Sequence, residues 1–292
     1  MSSSKGTRRQ PGPATGSWPV RFGTAALLAD NDLSDGWLLE VDGIPQSYIR
    51  VGDPEYLEFE YIQRIADVID LTAEPSAALT VLHLGGGGCT LPRYVAATRP
   101  GSTQLVIEAD APLADLVRSQ FGTAGFKLRV GDAREVLAGL RKGESDVVVS
   151  DVFAGAHLPV SCTTAEFVEQ VKALLRPGGV YVANLADGPP FGFARGQVST
   201  VQSRFAHVVL QAEPAVLRGR RFGNLVLAGS DEPFDVPALS RLAARAAGRA
   251  RVLSGDDART FAGQSKPVTD ASAAQAPVPP AGVFQRRAES PT

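Results

Sequence analysis

From Leu79 to Ala186 the chain alternates short apolar runs with segments of helical period. "LTVLHL", "TQLVIEAD", "FKLRVGDA", "SDVVVSDVF" and "GVYVANLA" read as strands. Between them, Leu91–Ala97, Pro112–Phe121, "REVLAGLRK" and "TAEFVEQVKALL" read as helices. Strand and helix in strict alternation predict an α/β fold, a parallel sheet with helices on both faces. "RPGG" at 176–179 closes a helix and turns the chain into the next strand. "HVVLQAEPAVLRGRRFGNLVLAGS" reads as two strands joined by a basic loop containing Arg218, Arg220 and Arg221, an antiparallel hairpin on the sheet edge. A last amphipathic helix is expected over Val236–Arg249.

Ahead of this region, Leu57, Tyr61, Ile65 and Ile69 recur every four residues and line one helical face. Before that helix, "GWLLEVDGIPQSYIRV" places two strand-like runs around Asp42-Gly43, a hairpin signal. Residues 1–18 and 251–292 are mostly Ser, Pro, Ala, Gly and Arg, and from Lys266 onward the bias is strongest. Such composition predicts disordered tails, because it buries too little apolar surface to offset its ordering entropy. The expected organisation is a tail over 1–18, a small β unit over 19–55, the main domain over 56–250 and a mostly disordered tail over 251–292.

Of the 292 residues, 44% are hydrophobic, enough for a full core, and the formal net charge of -2 gives no basic footprint for nucleic acid. No apolar run approaches the ~20 residues that cross a bilayer, and "MSSSKGTRRQPGPATGSW" lacks the apolar core of a leader peptide. The expectation is a cytoplasmic protein with a small-molecule substrate. Cys89 and Cys162 are the only cysteines, too few for a disulfide framework or a cysteine zinc site, and no metal is expected.

The chemistry lies at strand ends. In an open parallel sheet a glycine turn after the first strand lets a ligand approach the backbone, and Gly85, Gly86 and Gly87 occupy that turn. Glu108 ends the second strand 23 residues after Gly85, near the spacing of an acid that takes ribose hydroxyls; its bland alternative is a solvated strand end. Asp132 ends the third strand, placed to accept an exocyclic amine or to cap the following helix. Where a dinucleotide loop carries its last glycine this chain has Thr90, which favours a ligand without a pyrophosphate, such as S-adenosylmethionine. Asp151, at the fourth strand end, is the candidate base, with a loop acid capping backbone amides as the alternative. His157 lies in the segment "AGAHLP", which would form a lid, and His83 reads as a core residue.

Taken together, these residues resemble the spermidine synthase family of polyamine aminopropyltransferases, over about Gly36–Gly229. "VDGIPQSYIRVGDPEYLEFEY" resembles the family's "LDG..Q" strand pair and "DE..Y" segment; "VLHLGGGG", "IEAD" and "VGDA" resemble its donor site, and "VVVSDVF" its catalytic strand end. The resemblance implies a small N-terminal β unit followed by a Rossmann-like methyltransferase domain. It also implies a transferase that uses S-adenosylmethionine or its decarboxylated form, and a homodimer, since family members commonly pair. By resemblance Gln46 and Tyr61 face the ligands, Glu108 the ribose, Asp132 the adenine and Asp151 the attacking amine.

Three features depart from the family. Gly88 stands where its G-G-G-D-G loop has an Asp for the donor's amino group; Asp151-Val152-Phe153-Ala154-Gly155 stands where the family has D-[ST]-x-D-P, with Ala154 in place of the second acid; and Ile62 replaces the usual Gln or His. Each missing group would neutralise or place a cationic amine, so altered polyamine recognition is expected, unless an acid such as Asp187 or Glu166 substitutes. The readings are therefore a spermidine synthase-like transferase in or descended from polyamine biosynthesis, a methyltransferase of a non-polyamine acceptor, and a catalytically silent nucleoside-binding or interaction module.

Overall fold

A computed structural model describes residues 12–153, 157–246 and 248–280 of the chain. Four antiparallel strands come first: β1 (Gly16–Val20), β2 (Gly23–Ala29), β3 (Gly36–Val41) and β4 (Ile44–Arg50), paired in that order. Asp42 and Gly43 join β3 to β4 with φ of 49° and 74°. Two successive positive φ values make the turn whose twist matches the strands it joins.

The main domain follows as α1 (Glu60–Asp70), β5 (Thr80–Leu84), α2 (Thr90–Thr98), β6 (Thr103–Glu108), α3 (Ala111–Phe121), β7 (Lys127–Val130), α4 (Ala133–Leu137), β8 (Ser145–Ser150) and α5 (Ala165–Leu174). Then come β9 (Leu175–Asp187), α6 (Gly192–Gln202), β10 (His207–Ala212), α7 (Pro214–Leu217), β11 (Gly223–Ser230), α8 (Val236–Arg245), β12 (Arg251–Ser254) and α9 (Gly255–Ala262). The strands form one sheet in the order β12-β10-β11-β9-β8-β5-β6-β7. Its β7-β6-β5-β8-β9 part is parallel, while β11, β10 and β12 join antiparallel.

Side-chain alternation along the buried strands makes two cores. Leu82, Leu84 and Val148 face α4, α5 and α6, whereas Val81, Val147 and Val149 face α1, α2 and α8. A third cluster joins Leu27, Leu39 and Ile49 of the N-terminal sheet to Leu113, Leu116 and Val117 of α3, which fastens that sheet over the β5–β6 end of the domain. Burial of these side chains contributes about 1.5–3 kcal/mol each.

Several expectations are corrected. Gly16–Trp18 belong to β1 rather than to a tail. The β10–β11 pair is antiparallel, yet β12 pairs outside β10 and is itself the edge strand. The helix expected through "REVLAGLRK" ends at Leu137, and α8 ends at Arg245. "RPGG" is the irregular start of β9, with Gly178 at φ 76°.

The region from 251 opens with β12 and α9 and then lies along the domain. Its composition is poor in large apolar groups, but its main chain supplies the contacts. Ala165 N donates to Val268 O at 2.7 Å, Val268 N donates to Thr200 Oγ1 at 2.8 Å, and Ala276 is buried. Residues 1–11 and 281–292 of the two expected tails lie outside the described residues. No helix among the described residues is long and apolar enough to cross a membrane.

Candidate functional site

At the carboxyl ends of β5, β6, β7 and β8 lies a cavity of about 320 Å³, roofed by the β1–β2 turn and β4. Gln46, Tyr61, Gly85, Gly86, Gly87, Glu108, Asp132 and Asp151 all line it. His157 does not, and its neighbours Ala154 and Gly155 lie outside the described residues.

The glycine turn is shaped by what approaches it. Gly85 has φ 88°, and a Cβ there would collide with the main-chain oxygen of Asp151. Gly88 N donates to Ser47 Oγ at 2.8 Å, and a Cβ on Gly88 would stand 2.6 Å from Ile49 Cδ1. Strand β4 thus fills the space in which a longer residue at 88 would project. Thr90 Oγ1 donates to Tyr48 O at 2.9 Å and ties the start of α2 to the same strand.

Glu108 closes the turn from the other side. Its Oε2 accepts the amides of Gly86 at 2.8 Å and Gly87 at 3.2 Å, and its Oε1 accepts Asp110 N at 2.9 Å. Burial pushes the carboxyl pKa up, against the lowering effect of those three amides. Asp110 caps α3 through Leu113 N and also accepts Phe22 N, which fixes the β1–β2 turn at the cavity mouth. Asp132 caps α4 by accepting Glu135 N at 3.1 Å and also lines the cavity.

Asp151 sits at the far end. It keeps some surface open to the cavity while protein encloses it, and this burial pushes its pKa up to about 6. Asn184 Nδ2 donates to Asp151 Oδ1 at 2.8 Å, and the Tyr61 hydroxyl hydrogen-bonds the same carboxylate. Asn224 Nδ2 in turn donates to Asn184 Oδ1 at 3.0 Å. His83 is a core residue: its Nε2 meets Gln104 Oε1 at 2.9 Å, and burial lowers its pKa to about 4, so it is neutral.

Sequence reasoning missed Asn184, Asn224, Ser47, Arg21 and Glu58. Asn184 carries a signal, a lone amide inside the apolar run "YVANLA". Ser47 and Arg21 reach the site only through the docking of the N-terminal sheet. Glu58 is exposed at the cavity wall, where Tyr56 donates to it. Asp187 and Glu166 do not line the cavity: Asp187 accepts Gly188 N and Ala194 N at the start of α6, and Glu166 accepts Asp270 N.

Among the charged side chains of the described lining, acids dominate: Glu58, Glu108, Asp110, Asp132 and Asp151 stand with one guanidinium, that of Arg21, which donates to Ala109 O at 3.2 Å. Such a cavity suits a ligand with positive charge. Glu108, with its remaining lone pairs, suits vicinal hydroxyls.

No family model matches the chain. It is 36% identical to the protein in a crystal structure of a probable spermidine synthase from Corynebacterium glutamicum; the likeness covers 88% of this chain and 97% of that one, with a TM-score of 0.84. A polyamine aminopropyltransferase from Vibrio vulnificus is 31% identical over 109 residues, 36% of each chain. The human eEF1A lysine and N-terminal methyltransferase is 32% identical over 130 residues, 40% of this chain and 18% of that protein. The chain thus matches little more than a third of the Vibrio relative's length and under a fifth of the human one's.

Proposed function

The chain belongs to the spermidine synthase family, and on that footing we propose that it transfers a group from an adenosyl sulfonium to an amine, with putrescine a poor acceptor. The observation that carries this reading is the pairing, in one acid-lined cavity, of Glu108 locked onto the glycine turn with the enclosed carboxylate of Asp151. Glu108 and Asp132 would hold the ribose and adenine. The turn at 85–87 lets the nucleoside approach the backbone, where side chains would block it.

A bound adenosyl sulfonium supplies a carbon made electrophilic by the adjacent positive sulfur. Asp151 accepts the proton that the attacking nitrogen must lose, and with a pKa near 6 it is ionised at neutral pH and able to do so. Tyr61 and Asn184 fix the direction of its lone pairs. The neutral thioether then has no charge to hold it among the acids, which favours its release. With five carboxylates against one guanidinium in the lining, the decarboxylated donor fits better than one bearing a carboxylate.

A methyltransferase reading draws on Gly88. Strand β4 occupies the space of the family's donor-amine acid, so the amino group of either donor lacks that partner here. Calorimetry with S-adenosylmethionine, its decarboxylated form and methylthioadenosine separates the donors. A turnover assay that follows methylthioadenosine release with putrescine tests the acceptor. Preference for the decarboxylated donor with slow putrescine turnover supports the proposal; binding of S-adenosylmethionine alone favours methyl transfer, and no binding of any adenosyl ligand overturns both.

A further inference from the structure

On β8, β9 and β11 the face that packs under α1 is apolar until its last positions. Val149, Val182 and Val226 belong to the same core cluster as Ile65 and Ile69 of α1. Two residues on along each of β8 and β9, Val149 gives way to Asp151 and Val182 to Asn184; on β11, which runs the other way, Asn224 lies two before Val226. One carboxylate and two amides thus follow valines along these strands below Tyr61, and because Val226 is registered with Asn184 and Asn224 with Ala186, Asn224 reaches Asn184 on the diagonal.

Those three side chains form a directed row. Asn224 Nδ2 donates to Asn184 Oδ1 at 3.0 Å, which leaves Asn184 Nδ2 to donate to Asp151 Oδ1 at 2.8 Å. A primary amide can turn either edge toward a neighbour, and the two edges have opposite effects on a carboxylate. If the oxygen of Asn184 faced Asp151, it would repel the ionised form. The donor from Asn224 fixes the favourable edge. Neither asparagine lines the cavity, so neither is placed to touch a ligand.

We propose that Asn184 and Asn224 are positioning residues that aim the Asp151 carboxylate and keep it ionised, Asn224 acting only through Asn184. The inference rests on the reading of Asp151 as the base. The titratable groups that face Asp151 are Tyr61 from α1, which donates to it, and Glu108 from β6, whose charge opposes its ionisation. Burial and Glu108 oppose ionisation, and the donors that offset them are Asn184 and the Tyr61 hydroxyl.

The test uses the whole chain and reads Asp151 directly, so that it does not depend on finding the right acceptor. The infrared carbonyl band of the protonated Asp151 carboxyl, assigned by its loss in Asp151→Asn, is titrated in the wild type, Asn184→Ser, Asn184→Leu and Asn224→Ala. A hydrogen bond to a charged group corresponds to roughly one to two pH units in the midpoint. Both the Asn184 and the Asn224 variants are expected to move the midpoint upward by about one unit, although Asn224 does not touch Asp151. Asn184→Ser keeps a polar group should the leucine variant not fold. A midpoint unchanged in folded Asn224→Ala overturns the relay. Failure of the wild type to bind adenosyl ligands, with the midpoints shifting as expected, would instead remove the functional reading and leave the relay standing. In turnover, the same variants are expected to lower kcat several-fold at pH 6 and less at pH 8, with donor affinity unchanged.

Discussion

Gly85 lies so close to Asp151 that a Cβ on the glycine would collide with the main-chain oxygen of the acid. The glycine turn and Asp151, the proposed donor turn and proposed base, are therefore set by one contact between neighbouring strands, where Asp151 N also donates to Leu84 O at 2.8 Å. Gly85→Ala must push β5 from β8 and place a side chain at φ 88°. The expected outcome is a loss of about 1–3 kcal/mol of stability by denaturant unfolding, together with loss of adenosyl-ligand binding. A variant that unfolds like the wild type would show that the contact relaxes without cost.

Glu108 has one observed role, holding the turn, and one proposed role, holding the ribose, and substitutions separate them. Its Oε2 holds the glycine turn by two amides, while its other lone pairs face the cavity. Glu108→Gln keeps an acceptor for the turn but loses the charge and sets its NH2 against Asp110 N. It is expected to fold with somewhat lowered stability and to bind methylthioadenosine more weakly by ~1.5–3 kcal/mol, the range for hydrogen bonds to a charged acceptor. Calorimetry is the measurement, and unchanged affinity removes Glu108 from the ribose role.

Burial also sets a pH dependence with a definite sign. Asp151 and Asp67 are both pushed from 3.8 up to about 6, chiefly by desolvation. Between those values the folded chain binds more protons than the unfolded one, so these two groups make stability fall as pH rises from about 4 to about 6, after which it levels off. Asp270 acts in a lower window, because Arg134 brings its pKa down to about 2 and its contribution is lost only as pH falls below the ordinary 3.8. Unfolding free energies measured at pH 4.5 and 7 are expected to differ less in Asp151→Asn than in the wild type. On the proposed role of Asp151, turnover is expected to follow the opposite course and rise through pH 6 as that group ionises.

Strand–helix alternation and the placement of polar residues at the strand ends were legible because both are local. Glycine follows β5, and Glu108, Asp132 and Asp151 each stand where a strand stops, so period and spacing locate them. What was not legible depends on partners distant in sequence. Helix α6 holds Gly192 and Gly196 among Ser, Thr and Gln, which weakens its periodic signal, and β12 is a four-residue strand defined by its pairing with β10. Ser47 and Asn224 look like ordinary polar strand residues until β4 meets the glycine turn and β11 lies beside β9. The departure at Gly88 read as a missing acid; the structure adds that Ile49 and Ser47 stand in its place.

That replacement yields a test by restoration. If Gly88 were merely an acid lost, Gly88→Asp would regain putrescine turnover. Its Cβ would instead stand 2.6 Å from Ile49 Cδ1 and 2.8 Å from Ser47 Cβ, both held in packed strand β4. The expected result is a lowered melting temperature without gained turnover, and partial recovery of stability when Ile49→Ala is added. A stable, faster Gly88→Asp enzyme would show that β4 yields easily.

The Pro- and Ala-rich segment after α9 gives the last expectation, because composition and structure disagree about it. Composition argues that nothing there can hold to a core. The main chain nonetheless binds at Val268, and Ser199 Oγ donates to Ser265 O at 2.7 Å. Arg134 forms a two-pronged pair with Asp270 at 2.7 and 2.6 Å while also donating to Ser161 O. Arg134 follows Asp132 and Ala133 of the cavity wall, and Ser161 lies between Pro159 and Cys162 of the same wall, so Asp270 steadies the joint between two parts of the site. A chain ending at 264, compared with one ending at 280, is expected to melt several degrees lower, given that ~1 kcal/mol moves the transition roughly 2–4 °C in a domain of this size. It is also expected to bind methylthioadenosine less tightly, since the wall near Asp132 loses its brace. Asp270→Asn, which keeps the segment and removes the charge, separates the two effects: it should retain most of the melting temperature and weaken the ligand. Coincident melting curves for the two chain lengths would show that the segment contributes no stability.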